Sequence, residues 1–152
     1  MHLIYKKATI DDIELLTELR GEVLRDANQL PADTNMTEVE RQSYAYYAAA
    51  FKDGSHTAYL VFDGTALIGC GGVSYYRVMP TYHNPSGEKA YIMNMYTHPD
   101  YRRQGIAFKT LDLLVQDAKA RGIRAISLEA TDMGRPLYEA YGFAAMEHEM
   151  EL

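Results

Sequence analysis

The segment Tyr91-Ile-Met-Asn-Met-Tyr-Thr-His-Pro-Asp-Tyr-Arg-Arg-Gln-Gly-Ile-Ala107 combines a strand-like run, a proline and a glycine-containing turn that leads into a helix. The first turn of a helix has N–H groups without intrahelical partners, and the helix dipole adds partial positive charge there. Gly105 has no Cβ and Ala107 only a methyl, so backbone can approach a ligand closely, while Arg102 and Arg103 add positive charge. The segment therefore predicts a phosphate-binding turn built from backbone. Taken alone, it also fits an ordinary strand-to-helix turn with solvated arginines.

Length and charge set the class of protein. The 152 residues, 47% of them hydrophobic, predict a single domain over residues 1–152 with a sizeable core. The formal net charge is −6 and no basic run offsets it, so nucleic acid is not expected as a partner. No apolar run approaches the ~20 residues that span a bilayer, and the N-terminus lacks the apolar stretch of a signal peptide. We therefore expect a soluble, cytoplasmic protein without a membrane partner.

Cysteine and histidine usage limits the chemistry. The single cysteine, Cys70, excludes an intrachain disulfide and a cysteine-cluster zinc site. It lies in the apolar, glycine-rich run Ile68-Gly-Cys-Gly-Gly-Val73, which favours a buried core residue over a nucleophile. The five histidines are scattered without ligand spacing, so no metal is expected.

The N-terminal half predicts a strand, two helices and a hairpin. Leu3-Ile4-Tyr5 is typical of a short strand, and Thr37-Glu-Val-Glu40 has the capping-box pattern of a helix that Asp53-Gly54 ends. Two apolar runs flank Asp63-Gly64, which is typical of a tight antiparallel hairpin. The first helix is predicted by apolar residues at helical spacing, namely Ile13, Leu16, Leu19 and Val23.

The C-terminal half predicts a helix, a strand, a short helix and a final strand. The first helix begins at about Gly105 and ends at Gly122, and Arg124 to Thr131 alternates as a strand. Pro136 suits the first turn of a short helix, and a last strand is expected from Phe143 onward. The order is strand, two helices, three strands, helix, strand, helix, strand, which predicts a mixed α/β sheet.

A second distinctive segment is Arg135-Pro-Leu-Tyr-Glu-Ala-Tyr-Gly-Phe143, separated from the glycine turn by one helix and one strand. This arrangement resembles the GCN5-related N-acetyltransferase (GNAT) family. Its pyrophosphate-binding signature is Arg or Gln, two residues, Gly, any residue, then Gly or Ala, which Arg102, Gly105 and Ala107 match. The later segment matches a second motif of that family, and the element order matches over essentially the whole chain.

The resemblance implies the acyl-CoA N-acyltransferase fold, a mixed, mostly antiparallel sheet with flanking helices and a splayed parallel strand pair. The strands holding Met95 and Leu128 would be that pair. The implied cosubstrate is acetyl-CoA, with its pantetheine arm in the gap and its pyrophosphate on the N–H groups of the glycine turn. The implied cofactor-binding residues are Met95, Tyr96, Thr97, Arg102, Arg103, Gln104, Gly105, Ile106, Ala107 and Thr131.

Acetyl transfer needs a neutral amine, a donor to the developing oxyanion and a proton for the leaving thiolate. The resemblance implies that the backbone N–H of Met95, placed by a strand bulge, is the oxyanion donor, and that Tyr138 is the general acid. Tyr138 can alternatively be a packing aromatic, since the chain has 13 tyrosines.

The general base is the gap in this scheme. Family bases often lie two or four residues upstream of the oxyanion donor, where this chain has Met93 and Tyr91. Neither is a competent base at neutral pH. Glu129 can accept a proton through a water that Tyr91 orders, or it can be an exposed strand carboxylate. The base therefore stays unassigned.

Acceptor recognition in the family comes from the first two helices and from loops near the central strand, here roughly residues 20–47 and 76–88. Aromatic residues that can line a pocket, or complete a core instead, are Tyr44, Tyr46, Tyr75, Tyr76, Tyr82 and His83. The sequence does not determine the acceptor.

The predicted function is acetyl-CoA-dependent acetylation of an amine on a small molecule, peptide or protein, by direct attack in a ternary complex. Two alternatives stay open: a coenzyme A-binding sensor with little turnover, and an acyltransferase with another acyl group or a hydroxyl acceptor. Homodimers are common among such proteins, but no exposed patch in the sequence predicts one.

Overall fold

A single five-stranded sheet with helices on both faces forms the protein, and the computed structural model describes all 152 residues. The strands are β1 (Leu3–Lys7), β2 (His56–Asp63), β3 (Ala66–Arg77), β4 (Glu88–Thr97) and β5 (Ile126–Leu128). The helices are α1 (Ile13–Ala27), α2 (Thr37–Asp53), α3 (Ile106–Ala120) and α4 (Arg135–Tyr141), with short 3-10 turns at Ile10–Asp12 and Pro99–Tyr101. The strands lie in chain order, with antiparallel pairing from β1 to β4 and a parallel β4–β5 pair. The predicted mixed, mostly antiparallel sheet is confirmed.

Different helices bury the two faces of the sheet. Residues from α1, α2 and one face of β2 and β3 share one apolar cluster, which contains Leu60 and the single cysteine, Cys70. Residues from α3 pack on the other face against Val73, Ala90 and Ile92. The predicted apolar stripe of α1 is confirmed, because all four of its members are buried. No helix is both long and apolar enough to cross a membrane.

Three sequence predictions are corrected. The proposed capping box at Thr37 is absent, because α2 begins at Thr37 itself and the Asn35 side chain accepts from the Thr37 N–H at 2.9 Å. The strand predicted from Arg124 to Thr131 pairs only at Ile126–Leu128. The strand predicted from Phe143 is absent. Residues 144–152 bury no apolar side chain, so no packing offsets the entropy of ordering them as a strand.

Asp117 of α3 ties the helix to three strands. Its carboxylate accepts from Thr57 at 2.9 Å and from the Tyr75 hydroxyl, and it pairs with Lys7 at 3.2 Å and Arg121 at 3.4 Å. Burial alone would raise the pKa of Asp117, but the hydrogen bonds from Tyr75, Thr57 and Lys7 outweigh it and lower the pKa. The network therefore stabilises the folded state through the charged form of Asp117.

Replacing Asp117 with asparagine should lower the free energy of unfolding at pH 7 by about 1–3 kcal/mol, the range for hydrogen bonds to a charged group. Because the folded-state pKa of Asp117 is lowered, its contribution is complete above the unfolded-state pKa of about 4 and is lost as pH falls through the folded-state value. Urea unfolding at pH 7 and pH 3 measures this. The exposed Glu18→Gln variant is the charge-matched control, and an equal loss at both pH values would contradict the assignment.

Candidate functional site

The parallel strands β4 and β5 separate after a short pairing. β5 pairs with β4 only from Ala90, opposite Ile126, to Ile92, opposite Leu128. β4 continues to Thr97, so its last five residues have no strand partner on that edge. The edge of β4 from residue 93 to residue 97 therefore faces an open gap, here called the β4 gap.

A β-bulge interrupts β4 beside this gap. Gly72 lies opposite Met93 and Cys70 opposite Tyr96, so the single residue between them on β3 faces two residues of β4. One of those two, Asn94, has a φ of +59°, which is uncommon for a residue other than glycine.

The bulge changes the direction of the following N–H groups. Before it, the Ala90 N–H donates toward β5, to the Ala125 carbonyl at 2.9 Å. After it, the His98 N–H donates toward β3, to the Ile68 carbonyl at 2.7 Å. N–H groups alternate between the two edges of an extended strand, and the extra residue of the bulge reverses this alternation. The N–H groups of even-numbered residues therefore point toward β5 before the bulge and toward β3 after it. The N–H groups of Met95 and Thr97 are thereby directed into the β4 gap.

The last residue of β4 also carries an unsatisfied polar atom. The hydroxyl oxygen of Thr97 is buried and has no hydrogen-bond partner, although buried polar groups are generally paired. The carbonyl of Thr97 accepts from the Arg102 side chain at 2.9 Å, which fixes the end of β4 to the following turn. A bound molecule with amide groups would satisfy this hydroxyl.

The turn before α3 presents a run of free backbone donors. The six N–H groups of residues 103–108 donate no hydrogen bond within the protein, and no side chain caps the helix. Arg103 and Gly105 have φ values of +63° and +81°, and a Cβ placed on Gly105 would meet nothing within 4 Å. Free donors at a helix N-terminus with open space before them suit a phosphate group.

The two arginines of this turn have different surroundings. Arg102 also pairs with Asp26 of α1 at 3.2 Å, so its main contacts are structural. Arg103 and Gln104 are exposed, and Ile106 is buried with only its backbone N–H available. Positive charge toward a ligand would come mainly from Arg103 and the helix end.

Tyr138 of α4 packs in the apolar cluster that α3 forms with Val73, Ala90 and Ile92, here called the α3 cluster, and only 8% of its surface is exposed. Its hydroxyl makes no hydrogen bond. Burial raises the pKa of Tyr138, so the hydroxyl stays protonated at neutral pH. The Tyr141 hydroxyl instead donates to Asp112 at 2.7 Å. The Thr131 side chain accepts from the Gly134 N–H at 3.1 Å and so belongs to the turn that begins α4.

The structure brings Tyr91 and Glu129 together. The Tyr91 hydroxyl donates to the Glu129 carboxylate at 3.5 Å, between β4 and the end of β5. Burial, and then the charge of Glu129, raise the pKa of Tyr91. Glu129 is exposed to solvent. This geometry allows a solvent-linked proton acceptor beside β4.

A cleft of 390 Å³ lies between α1, α2 and the sheet, here called the helix cleft. Of the six aromatic residues considered from sequence, only Tyr46 lines it, whereas Tyr75 packs against Asp117 on the other face. The residues lining it are Arg20, Glu38, Val39, Gln42, Ser43, Tyr46, Tyr47, His56, Ser74, Met93 and Asn94. Because Asn94 is the bulge residue, the cleft adjoins the strand position that precedes Met95.

Hydrogen bonds connect the polar side chains of the helix cleft. Arg20 donates to the side-chain oxygen Oδ1 of Asn94 at 3.1 Å. The Tyr46 hydroxyl lies 2.9 Å from His56 Nδ1 and 2.6 Å from the Ser74 hydroxyl. Burial, and then the charge of Arg20, lower the pKa of His56 to about 4, so its imidazole is neutral at pH 7. No motif in the sequence contains His56, and Asn94 lies inside the Tyr91–Ala107 segment without a signal that assigns it a role.

The sequence and the fold are both similar to those of known acetyltransferases. The family model described as the acetyltransferase (GNAT) family matches residues 24–143. The structure superposes on a predicted acetyltransferase from Clostridium acetobutylicum, crystallised with acetyl-CoA, with a TM-score of 0.90, 33% identity and coverage of 99% of this chain and 95% of the other. It also superposes on a GCN5-related N-acetyltransferase from Ralstonia eutropha JMP134 with a TM-score of 0.86 and 25% identity, and the match covers 99% of this chain and 97% of the other.

One curated relative is similar over part of the sequence. The uncharacterized N-acetyltransferase YsnE of Bacillus subtilis (strain 168) is 32% identical over 96 residues. That match covers 60% of this chain and 58% of the relative, so this chain spans somewhat over half of that protein.

Proposed function

Because the chain belongs to the acetyltransferase (GNAT) family, we propose that it transfers an acetyl group from acetyl-CoA to an amine of a small molecule, peptide or protein. The observation that carries the proposal is the combination of the β4 gap with six unpaired N–H groups in the turn before α3. Acetyl-CoA supplies an activated acyl group on a thiol leaving group, and the protein binds it through backbone.

The residues present fit acetyl-CoA at both ends of the site. The free N–H groups of residues 103–108 and the open space at Gly105 suit its pyrophosphate. The N–H groups of Met95 and Thr97, with the unsatisfied Thr97 hydroxyl, suit the amides of its pantetheine arm. Tyr96 packs against the apolar cluster of α1 and α2, and the Thr131 side chain accepts from the Gly134 N–H, so neither is assigned a hydrogen bond to acetyl-CoA.

The proposed chemistry is direct attack in a ternary complex. The neutral amine forms a bond to the thioester carbon, and the bond from that carbon to sulfur breaks. The Met95 N–H donates to the carbonyl oxygen as negative charge grows there. The Tyr138 hydroxyl gives its proton to the departing thiolate, and Glu129, through water held by Tyr91, takes the proton that the amine loses.

Binding and turnover together test this function. Isothermal titration calorimetry should show one acetyl-CoA site per chain, and thiol release with mass spectrometry should show acetylated product from some members of an amine panel. Tight acetyl-CoA binding without acetylation of any amine would contradict the enzyme and support a coenzyme A sensor. Faster release with other acyl-CoA donors or with alcohols would redirect the proposal to those substrates.

A further inference from the structure

Arg20 is a half-buried cation in the helix cleft that has no acidic partner. Its guanidinium makes one hydrogen bond, to the neutral side chain of Asn94, and forms no ion pair. Four other arginines pair with a carboxylate within 4 Å: Arg41, Arg102, Arg121 and Arg135. Most donors of the Arg20 fork are therefore free in a cleft of 390 Å³.

Neighbouring groups leave the charge of Arg20 unbalanced. His56 is neutral at pH 7, and burial raises the pKa of Cys70 to about 12 and also raises that of Tyr47. The one acid that lines the cleft, Glu38, already pairs with Arg41 at 2.7 Å. A partly buried charge without a partner is costly, so the cleft favours an incoming anion.

The free edge of a guanidinium matches a carboxylate, which accepts two parallel hydrogen bonds from it. Tyr46, Tyr47 and Met93 supply apolar and aromatic wall around this charge. A single cation without a helix N-terminus or a second basic residue suits a monoanion better than a phosphate dianion. Because Arg20 bonds to Asn94, the residue before Met95, an anion held by Arg20 would lie near the reacting end of the proposed acetyl-CoA site.

We propose that the acceptor is an amine that also carries a carboxylate, such as an amino acid, and that Arg20 binds this carboxylate. This inference rests on the proposed acetyltransferase function and narrows its substrate class. Arg20 acts in recognition of the acceptor, whereas the chemistry belongs to the residues around the β4 gap.

Matched amines test the proposal. The wild-type protein should acetylate phenylalanine with a kcat/KM at least about 10-fold above that of phenethylamine, which lacks the carboxylate. In Arg20→Gln this ratio should fall to near one, mainly through KM, since about 10-fold corresponds to the 1.4 kcal/mol expected of one charge-assisted contact. Arg20→Lys should retain part of the preference. Exposed Arg124→Gln is the charge-matched control and should leave the ratio unchanged.

A binding experiment separates this inference from the function on which it rests. Phenylalanine titrated into the coenzyme A-bound protein, followed by NMR, should bind Arg20→Gln at least about 10-fold more weakly than wild type. If the protein acetylates no amine but Arg20→Gln still binds phenylalanine more weakly than wild type does, the proposed acetyltransferase activity is contradicted and the role of Arg20 is not. Equal rates for both amines, or equal binding to both proteins, would overturn the role of Arg20. An Arg20-dependent preference for glucosamine 6-phosphate over glucosamine would overturn the carboxylate in favour of phosphate.

Discussion

Replacing Gly105 with valine should raise the dissociation constant for acetyl-CoA by at least about 100-fold, or abolish binding. The φ of +81° at Gly105 aims the following N–H groups, and the space beside it is empty in the protein. A valine would place its methyl groups where the pyrophosphate is proposed to lie and would force the turn to change conformation. Loss of two charge-assisted hydrogen bonds at about 1.5 kcal/mol each is enough for a 100-fold effect. Calorimetric titration with acetyl-CoA and with coenzyme A measures it.

The chain contains a matched control at the other end of the same helix. Gly122 follows α3 with a φ of +76°, and a Cβ there also meets nothing within 4 Å. Gly122→Val therefore imposes a similar backbone strain, about 1–2 kcal/mol, without entering the proposed site. It should lose stability to the same extent as Gly105→Val and keep acetyl-CoA affinity. If both variants bind alike, the glycine turn is not the pyrophosphate site.

The second large effect is expected from Tyr138→Phe, which should lower kcat by about 100-fold, within the range for loss of a general acid. The affinity for coenzyme A should stay nearly unchanged, because the ring remains packed in the α3 cluster and the missing hydroxyl makes no hydrogen bond in the protein. Steady-state kinetics together with coenzyme A titration separate the two effects. An unaltered kcat would remove Tyr138 from the mechanism.

Tyr141→Phe, three residues along α4, is the control for removing a tyrosine hydroxyl. It loses the hydrogen bond to Asp112 and should cost about 1 kcal/mol of stability, with kcat retained.

Glu129→Gln in the same assay examines the proton acceptor. It should lower kcat/KM at pH 7, whereas an unchanged kcat/KM would leave Glu129 as a surface carboxylate.

Local chemistry explains which predictions the structure confirmed. The Asp63-Gly64 hairpin, the end of α2 at Gly54 and the glycine at the end of α3 depend on residues a few positions apart. The capping box predicted at the start of α2 was wrong, because the Asn35 side chain, and not that of Thr37, accepts from the first helical N–H.

The contacts inside the helix cleft could not be predicted, for a physical reason, although seven of its eleven lining residues lie within the 20–47 region expected from the sequence. Arg20 and Asn94 are 74 residues apart, and their contact exists only after α1 packs on β4. The neutral state of His56 likewise depends on burial between α2 and the sheet rather than on its neighbours in sequence. Motifs therefore predicted the proposed cofactor site, built from one continuous segment, whereas the cleft for the proposed acceptor required tertiary structure.

The bulge at Asn94 makes the number of residues in β4 responsible for the direction of the Met95 and Thr97 donors, and residue identity matters mainly at Asn94 itself, whose φ is +59°. An alanine scan of the other β4 positions is blind to such a feature, because every variant keeps the same count of peptide units. At those positions, an insertion or a deletion is the change that redirects the donors. Tolerance to length changes in β4 is therefore the property by which natural variation would reveal the arrangement.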